Sequence, residues 1–282
     1  MNSHNMNTTK YPAYSVCMSV YKNDNPTHFL SALRSMAQQT VVPAEIVLVV
    51  DGPVTESLET VIQLFTKEYR TLKVVRFANN QGLAKARQAA VTQTTQHIIA
   101  VMDSDDIAVP NRIELQIQYL LQHPETDVVG GQIEEFIDTP NNIVGKRIVP
   151  CSHEELMQYM KARCPFNHVT ILVKKSALVQ AGGYIDWHYN EDYYLWIRMA
   201  LANYRFANLP DTLVRVRVGK EMYKRRGGWK YFKSERGIQR LMLQKHIISL
   251  PRYCYNVLIR FILQVVMPNR LRGWVFQTFA RK

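Results

Sequence analysis

The sequence predicts an α/β fold built on a mostly parallel sheet, and three observations carry that expectation. Short apolar runs alternate with amphipathic stretches of about a dozen residues through the first half of the chain. The runs rich in β-branched residues stop abruptly at acidic or amide residues, as buried parallel strands do where they leave a sheet. After residue 127 the turn residues Pro140, Asn141, Asn142 and Gly145 bring hairpin spacing. The second half is therefore expected to be mixed or antiparallel.

In chain order, Tyr14–Tyr21 reads as a first strand and Lys22–Pro26 as the loop behind it. A helix is expected over Thr27–Gln39, with Phe29, Leu30, Leu33 and Met36 on one face. Glu45–Val50 is a second strand ending in Asp51-Gly52, followed by a helix over Thr55–Tyr69 and a strand over Leu72–Phe77. Gly82–Ala90 reads as a helix entered through Asn79, Asn80 and Gln81, and His97–Met102 as the fourth strand. Beyond Pro110 a helix is expected to Gln122, a strand over Asp127–Phe136, and its hairpin partner over Lys146–Val149. Glu154–Arg163 is helical, Val169–Val173 a short strand, and Lys174–Gln180 a helix stopped by Gly182-Gly183. The spacing of Tyr193, Trp196, Ile197, Ala200 and Leu201 predicts one more helix.

At 282 residues the chain makes one large or two small domains with room for a sizeable core. Cys17, Cys151, Cys164 and Cys254 show no CxxC spacing, which argues against a zinc site or a disulfide framework. The polar first ten residues do not read as a signal peptide, and a reducing, cytoplasmic setting is expected. Charge is unevenly spread. Residues 1–214 carry 18 Lys/Arg against 21 Asp/Glu, a net of −3, whereas residues 215–282 carry 17 against 2, a net of +15. A basic tail on a near-neutral body is the pattern of a chain held against a polyanion.

The most concentrated chemistry is Asp103-Ser104-Asp105-Asp106, directly after the fourth strand. Like charges this close repel unless a cation lies among them, and a hard divalent ion takes carboxylate together with phosphate oxygens. A helix cap before Pro110 is the competing account of these residues. Asp51 and the acidic cluster both fall at strand carboxyl ends, where ligands of such sheets bind.

Asp51-Gly52, Asn80-x-Gly82-Leu83-x-x-Ala86-Arg87, Met102–Asp106 and Glu191-Asp192-Tyr-x-Leu195-Trp196 stand in this order. The series resembles family 2 glycosyltransferases over roughly residues 12–218. Residues Glu221–Trp229 are similar to the amylovoran-type exopolysaccharide enzymes of bacteria. The resemblance implies a GT-A fold and inverting transfer of a sugar from a nucleotide donor with Mn²⁺ or Mg²⁺. It also implies roles for particular residues. Asp105 would be the metal ligand, with Asp103 sharing the metal or contacting the ribose. Asp106 would ligate the metal or only cap the following helix. Asp51 would hold the base of the nucleotide, and Arg87 would contact a phosphate or hold Asp103. Asp192 would be the general base, with Glu191 its competitor. Trp196 and His168 would flank the acceptor, although a lone histidine there is more often structural. Arg225 and Arg226, before Gly227-Gly228, suit a mobile loop over a diphosphate, since guanidinium forks match phosphate oxygens. A solvated basic loop would look the same. No Gln-x-x-Arg-Trp segment of the processive synthases is present, so one sugar per acceptor is expected, on a saccharide or polyprenyl-linked acceptor.

The expected boundary falls at residue 218, after a nucleotide-sugar half of about 12–110 and an acceptor half of about 111–218. In the tail, Asn256, Arg260 and Gln264 form a narrow polar stripe on an otherwise apolar helix over Tyr253–Met267. That run is shorter than the roughly 20 apolar residues a bilayer needs. It suits either an anionic membrane interface at the inner face of the bacterial plasma membrane, or packing on the catalytic body. Two other classes compete. A nucleic-acid-binding protein would use the basic tail but leave the acidic motifs idle, so no nucleic acid is expected. A sugar nucleotidyltransferase would want glycines in the loop that here reads Lys22–Pro26.

Overall fold

Residues 11–219 and 227–267 are described by a computed structural model. The apolar runs assemble into one sheet of nine strands among these residues. Its first half is β1 (Tyr14–Val20), β2 (Glu45–Val50), β3 (Leu72–Arg76) and β4 (Ile98–Val101). These lie side by side in the order β3-β2-β1-β4, every pair parallel. The crossovers are α1 (Pro26–Ala37), α2 (Glu56–Glu68) and α3 (Leu83–Gln93). Asn25 starts α1 by accepting the N–H groups of Thr27 and His28, and Thr55 starts α2 by accepting that of Leu58.

Because side chains alternate across a strand, each strand supplies both faces. Val16, Met18 and Val20 meet Phe29, Leu33, Met36, Leu58 and Phe65 on one side. Cys17, Val47 and Val49 meet Ala86, Val91, Trp196 and Ile197 on the other. Each buried Val, Leu, Ile, Phe or Met among them stabilises the fold by about 1.5–3 kcal/mol.

The second half contains β5 (Ile107–Ala108), α4 (Arg112–Gln122), β6 (Val128–Phe136), β7 (Ile143–Arg147), α5 (His153–Met160) and β8 (Leu172–Lys174). Then come α6 (Lys175–Gln180), α7 (Glu191–Leu201), β9 (Phe206–Arg217), α8 (Trp229–Gln244) and α9 (Leu250–Phe261). Here β8 enters antiparallel between β4 and β6, β6 runs parallel to β9, and β7 and β5 pair antiparallel with β6 and β9. The expected change from a parallel to a mixed half is the observed one.

Five elements differ from expectation. The hairpin partner expected over Lys146–Val149 is β7 at Ile143–Arg147, and the short β5 was not foreseen. The strand expected at Val169 begins only at Leu172, because His168–Thr170 form a 3₁₀ turn. Thr170 closes that turn by donating both its N–H (2.8 Å) and its hydroxyl (2.7 Å) to the Asn167 carbonyl. Strand β9 was not foreseen: Pro210 and Asp211 interrupt its pattern, and its pairing with β6 slips near Gly130–Ile133. Helix α8 was hidden by its charge; it buries Phe232, Ile238 and Met242 and leaves Lys233, Arg236 and Arg240 in solvent. Ile238 and Met242 join the same core as α7 and the sheet.

Candidate active site

The strand ends and the loops after β1, β2 and β4 meet the N-termini of α3 and α7 in one place. Asp51 leaves β2 buried, and its carboxylate accepts the N–H groups of Gln81 (2.7 Å) and Gly82 (3.0 Å) and the Asn80 side-chain amide (2.9 Å). These bonds set the entry to α3. Gly52 has a φ of 83°, and a Cβ there would lie 2.5 Å from the Asn80 nitrogen. Only glycine lets the two loops touch. Each carboxylate oxygen has two lone pairs, so one acceptor site of Asp51 stays free for a ligand donor.

Arg87 on α3 is buried and bonds Asp103 at 2.8 Å and Glu191 at 3.0 Å, through its two terminal nitrogens. Burial opposes its charge, but Asp103 and Glu191 outweigh that cost and hold the guanidinium firmly protonated. Of the two roles expected for Arg87, the structure shows the holding of Asp103.

Asp105 is exposed, and no Arg or Lys pairs with its carboxylate among the described residues. Its pKa is pushed up to about 6, first by desolvation and then by the charges of Asp103 and Asp24. That electrostatic need, in a set of oxygen donors, fits a hard divalent cation. Asp106 neither reaches the surface nor caps a helix. It is buried and accepts the Arg217 backbone N–H at 2.8 Å, pinning the cluster to β9, while the residue capping α4 is Asn111. The helix-cap account of Asp106 is thereby corrected. Below the cluster, the fully buried Arg112 donates to the carbonyls of Val101 (3.0 Å) and Ile171 (3.2 Å), fixing the end of β4 against the approach to β8. Burial lowers its pKa to about 9.

On α7, Asp192 is half-buried and accepts the Tyr193 N–H at 2.7 Å, with the Cys164 thiol 3.7 Å from its other oxygen. Burial raises its pKa, against the lowering influence of Arg87 and the Tyr193 N–H. Glu191 is also raised by burial but is already committed to Arg87. The N-terminus of α7 is anchored from outside, since Asn190 donates to the Ser234 hydroxyl of α8 at 3.0 Å.

Trp196 is fully buried, packed edge-on against Phe166, so its side chain is part of the core and is not at the surface. His168 lies against Trp196 and 3.2 Å from the Tyr184 hydroxyl, and burial with Arg87 nearby keeps it neutral. Arg225 and Arg226 lie outside the described residues. Sequence reasoning passed over Asp24, which accepts the Ser104 hydroxyl at 2.9 Å, and Cys164 beside Asp192. Asp24 belongs to the loop singled out after β1, and that loop's position was its only signal.

The Glycosyl transferase family 2 model matches residues 15–184. The chain belongs to glycosyltransferase family 2. It is 36% identical over 264 residues to the amylovoran biosynthesis glycosyltransferase AmsE of Erwinia amylovora, covering 94% of this chain and 98% of that one. It is 31% identical over 271 residues to the UDP-Gal:α-D-GlcNAc-diphosphoundecaprenol β-1,3-galactosyltransferase of Escherichia coli, covering 96% and 98%. Among solved structures, the fold resembles a mannosyltransferase of Pyrobaculum calidifontis in complex with GDP-Man and Mn²⁺. There the TM-score is 0.64 at 16% identity, over 94% of this chain and 72% of that one. The fold is GT-A, and the protein is a glycosyltransferase. Family membership displaces the nucleic-acid and nucleotidyltransferase alternatives.

Proposed function

We propose that this family 2 enzyme moves one sugar from a nucleotide sugar, a UDP-sugar, to a lipid-linked or saccharide acceptor in bacterial surface-polysaccharide assembly, with inversion. The observation that carries the proposal is Arg87, whose guanidinium joins the acidic cluster of the donor side to the start of α7 on the acceptor side. The named relatives, which build amylovoran or extend a diphosphoundecaprenol-linked sugar, support the acceptor class.

Asp51 offers its remaining lone pair to a base N–H, at the carboxyl end of β2 beside the entry to α3. Asp105 would hold a divalent ion, Mn²⁺ or Mg²⁺, and Asp103, aimed by Arg87, would share it or bind the ribose. Among the described residues no three side chains of suitable type form a complete cage. Asp105 and Asp103 would therefore supply only part of such an ion's ligand set. When bound, the ion supplies neutralisation of the departing diphosphate. The acceptor oxygen bonds to the anomeric carbon as the bond to the diphosphate breaks, and Asp192 takes the hydroxyl proton. Its raised pKa suits that task, and Glu191 cannot substitute while Arg87 holds it.

A screen of nucleotide sugars, by binding and turnover with and without Mn²⁺ or Mg²⁺, tests the assignment. Metal-dependent binding of one UDP-sugar and a product of inverted anomeric configuration by NMR are expected. Retention of configuration, or donor binding indifferent to metal, contradicts it.

A further inference from the structure

Helix α9 is amphipathic in the opposite sense from a helix on a water-facing surface. Its polar stripe points inward. Asn256 is 3% exposed and donates to the Lys161 carbonyl (2.8 Å) and to the Gln239 side chain of α8 (2.7 Å). One turn on, Arg260 pairs with Glu235 and donates to the Ala162 carbonyl. One turn further, in the π-helical turn Ile262–Val266, Gln264 is buried. The outward face is left to Tyr255, Leu258, Ile259, Ile262 and Val266, with Leu258 57% and Val266 61% exposed. Trp229, also 57% exposed, extends it, its ring 5.8 Å from that of Phe261.

We infer that this outward face of α9, with Trp229, seats the enzyme in the headgroup–acyl boundary of an anionic bilayer. Charge decides among the possible occupants. Residues 215–282 carry a net +15, and no acidic residue follows Glu235, which Arg260 already neutralises. A second copy docking here would set +15 against +15. A nucleic acid would use the cations but not a row of aliphatic side chains. An anionic membrane interface uses both. Arg252 sits beside the face, over the Tyr255 ring at 5.9 Å, and Lys233, Arg236 and Arg240 occupy the solvent side of α8. After residue 267 the sequence continues with Arg270, Arg272, Trp274, Phe276, Phe279, Arg281 and Lys282, the residue types that favour such an interface. No helix among the described residues is long and apolar enough to cross a membrane, so the contact lies in the interface plane.

The surface deepens the proposal of a lipid-linked acceptor but rests on α9, Trp229 and the charge of the C-terminal segment, not on the active site. Its test needs no substrate, and either idea can fail without the other. The full chain is sedimented with vesicles of phosphatidylcholine, and of phosphatidylcholine mixed with phosphatidylglycerol. Binding to the mixed vesicles, weakened by salt, is expected. The double substitution Leu258→Ser/Ile262→Ser should weaken it at least ~10-fold while leaving the unfolding temperature and donor binding unchanged. The inference is overturned if the unsubstituted chain ignores anionic vesicles, or if the double variant binds them equally well. It is also overturned if the chain is a dimer that the double variant dissociates, or if it prefers DNA to vesicles at matched salt.

Discussion

The Arg87 guanidinium lies 2.8 Å from the Asp103 carboxylate and draws the end of β4 toward α3. Its second terminal nitrogen holds Glu191, so one side chain fixes the relative positions of the acidic cluster after β4 and the start of α7. Removing it leaves two carboxylates without their counter-charge. Arg87→Ala is expected to cost about 3–5 kcal/mol of stability, measured by urea unfolding. Arg87 also lowers the pKa of Asp192. The acid limb of the variant's residual rate profile should therefore move to higher pH, a change that loss of stability alone would not produce. Arg87→Lys keeps the charge but not the fork, and should lose activity with a smaller shift.

Asp105 gives the metal prediction and a pH prediction of stated sign. Its folded pKa, about 6, lies above the ordinary aspartate value, so the fold disfavours the charged form. Between those pH values the folded state binds more protons than the unfolded one. The stability of the metal-free protein then rises as pH falls through 6, and is lost as pH rises through it. Asp105→Asn should shallow that slope, to which the buried and likewise raised Asp106 also contributes, and should abolish metal-dependent donor binding. Thermal unfolding at several pH values and calorimetric titration with Mn²⁺ check the two halves separately. An unchanged slope would remove Asp105 from the centre of the site.

Gly52 tests the proposed nucleotide pocket. A Cβ there meets the Asn80 backbone at 2.5 Å, at a φ of 83°. Gly52→Ala should cost at least ~1–3 kcal/mol and push the loop at residues 79–82 away from Asp51. Donor affinity is expected to fall with stability, by equilibrium binding at a temperature where the variant is folded. Gly228 offers the control: it too has a positive φ, of 89°, but among the described residues a Cβ there meets nothing within 4 Å.

Much of this was legible from residue order because strand ends announce themselves. The runs ending at Asp51 and Asp103 are continuous, β-branched and buried, and a parallel sheet places its ligands at such ends. What the sequence hid were partners far along the chain. Asp106 read as a helix cap because its true partner, the Arg217 N–H, is 111 residues away. β9 was masked by Pro210-Asp211, and α8 by the lysines and arginines of its outer side. The stripe Asn256–Arg260–Gln264 was visible, but its direction was not. Glu235, Gln239 and the Lys161 carbonyl turn it inward, and periodicity carries no knowledge of them. Trp196 was placed beside the acceptor by its motif, whereas packing against Phe166 takes it wholly into the core.

The proposed role of Asp192 is to accept the acceptor's proton in an inverting transfer. Asp192→Asn preserves size and the contact with the Tyr193 N–H while removing basicity. Single-turnover transfer by this variant, set beside its donor affinity, is the direct measurement. Unchanged donor binding with transfer reduced about 10²–10⁴-fold is predicted. Full-rate transfer by Asp192→Asn would contradict the claim.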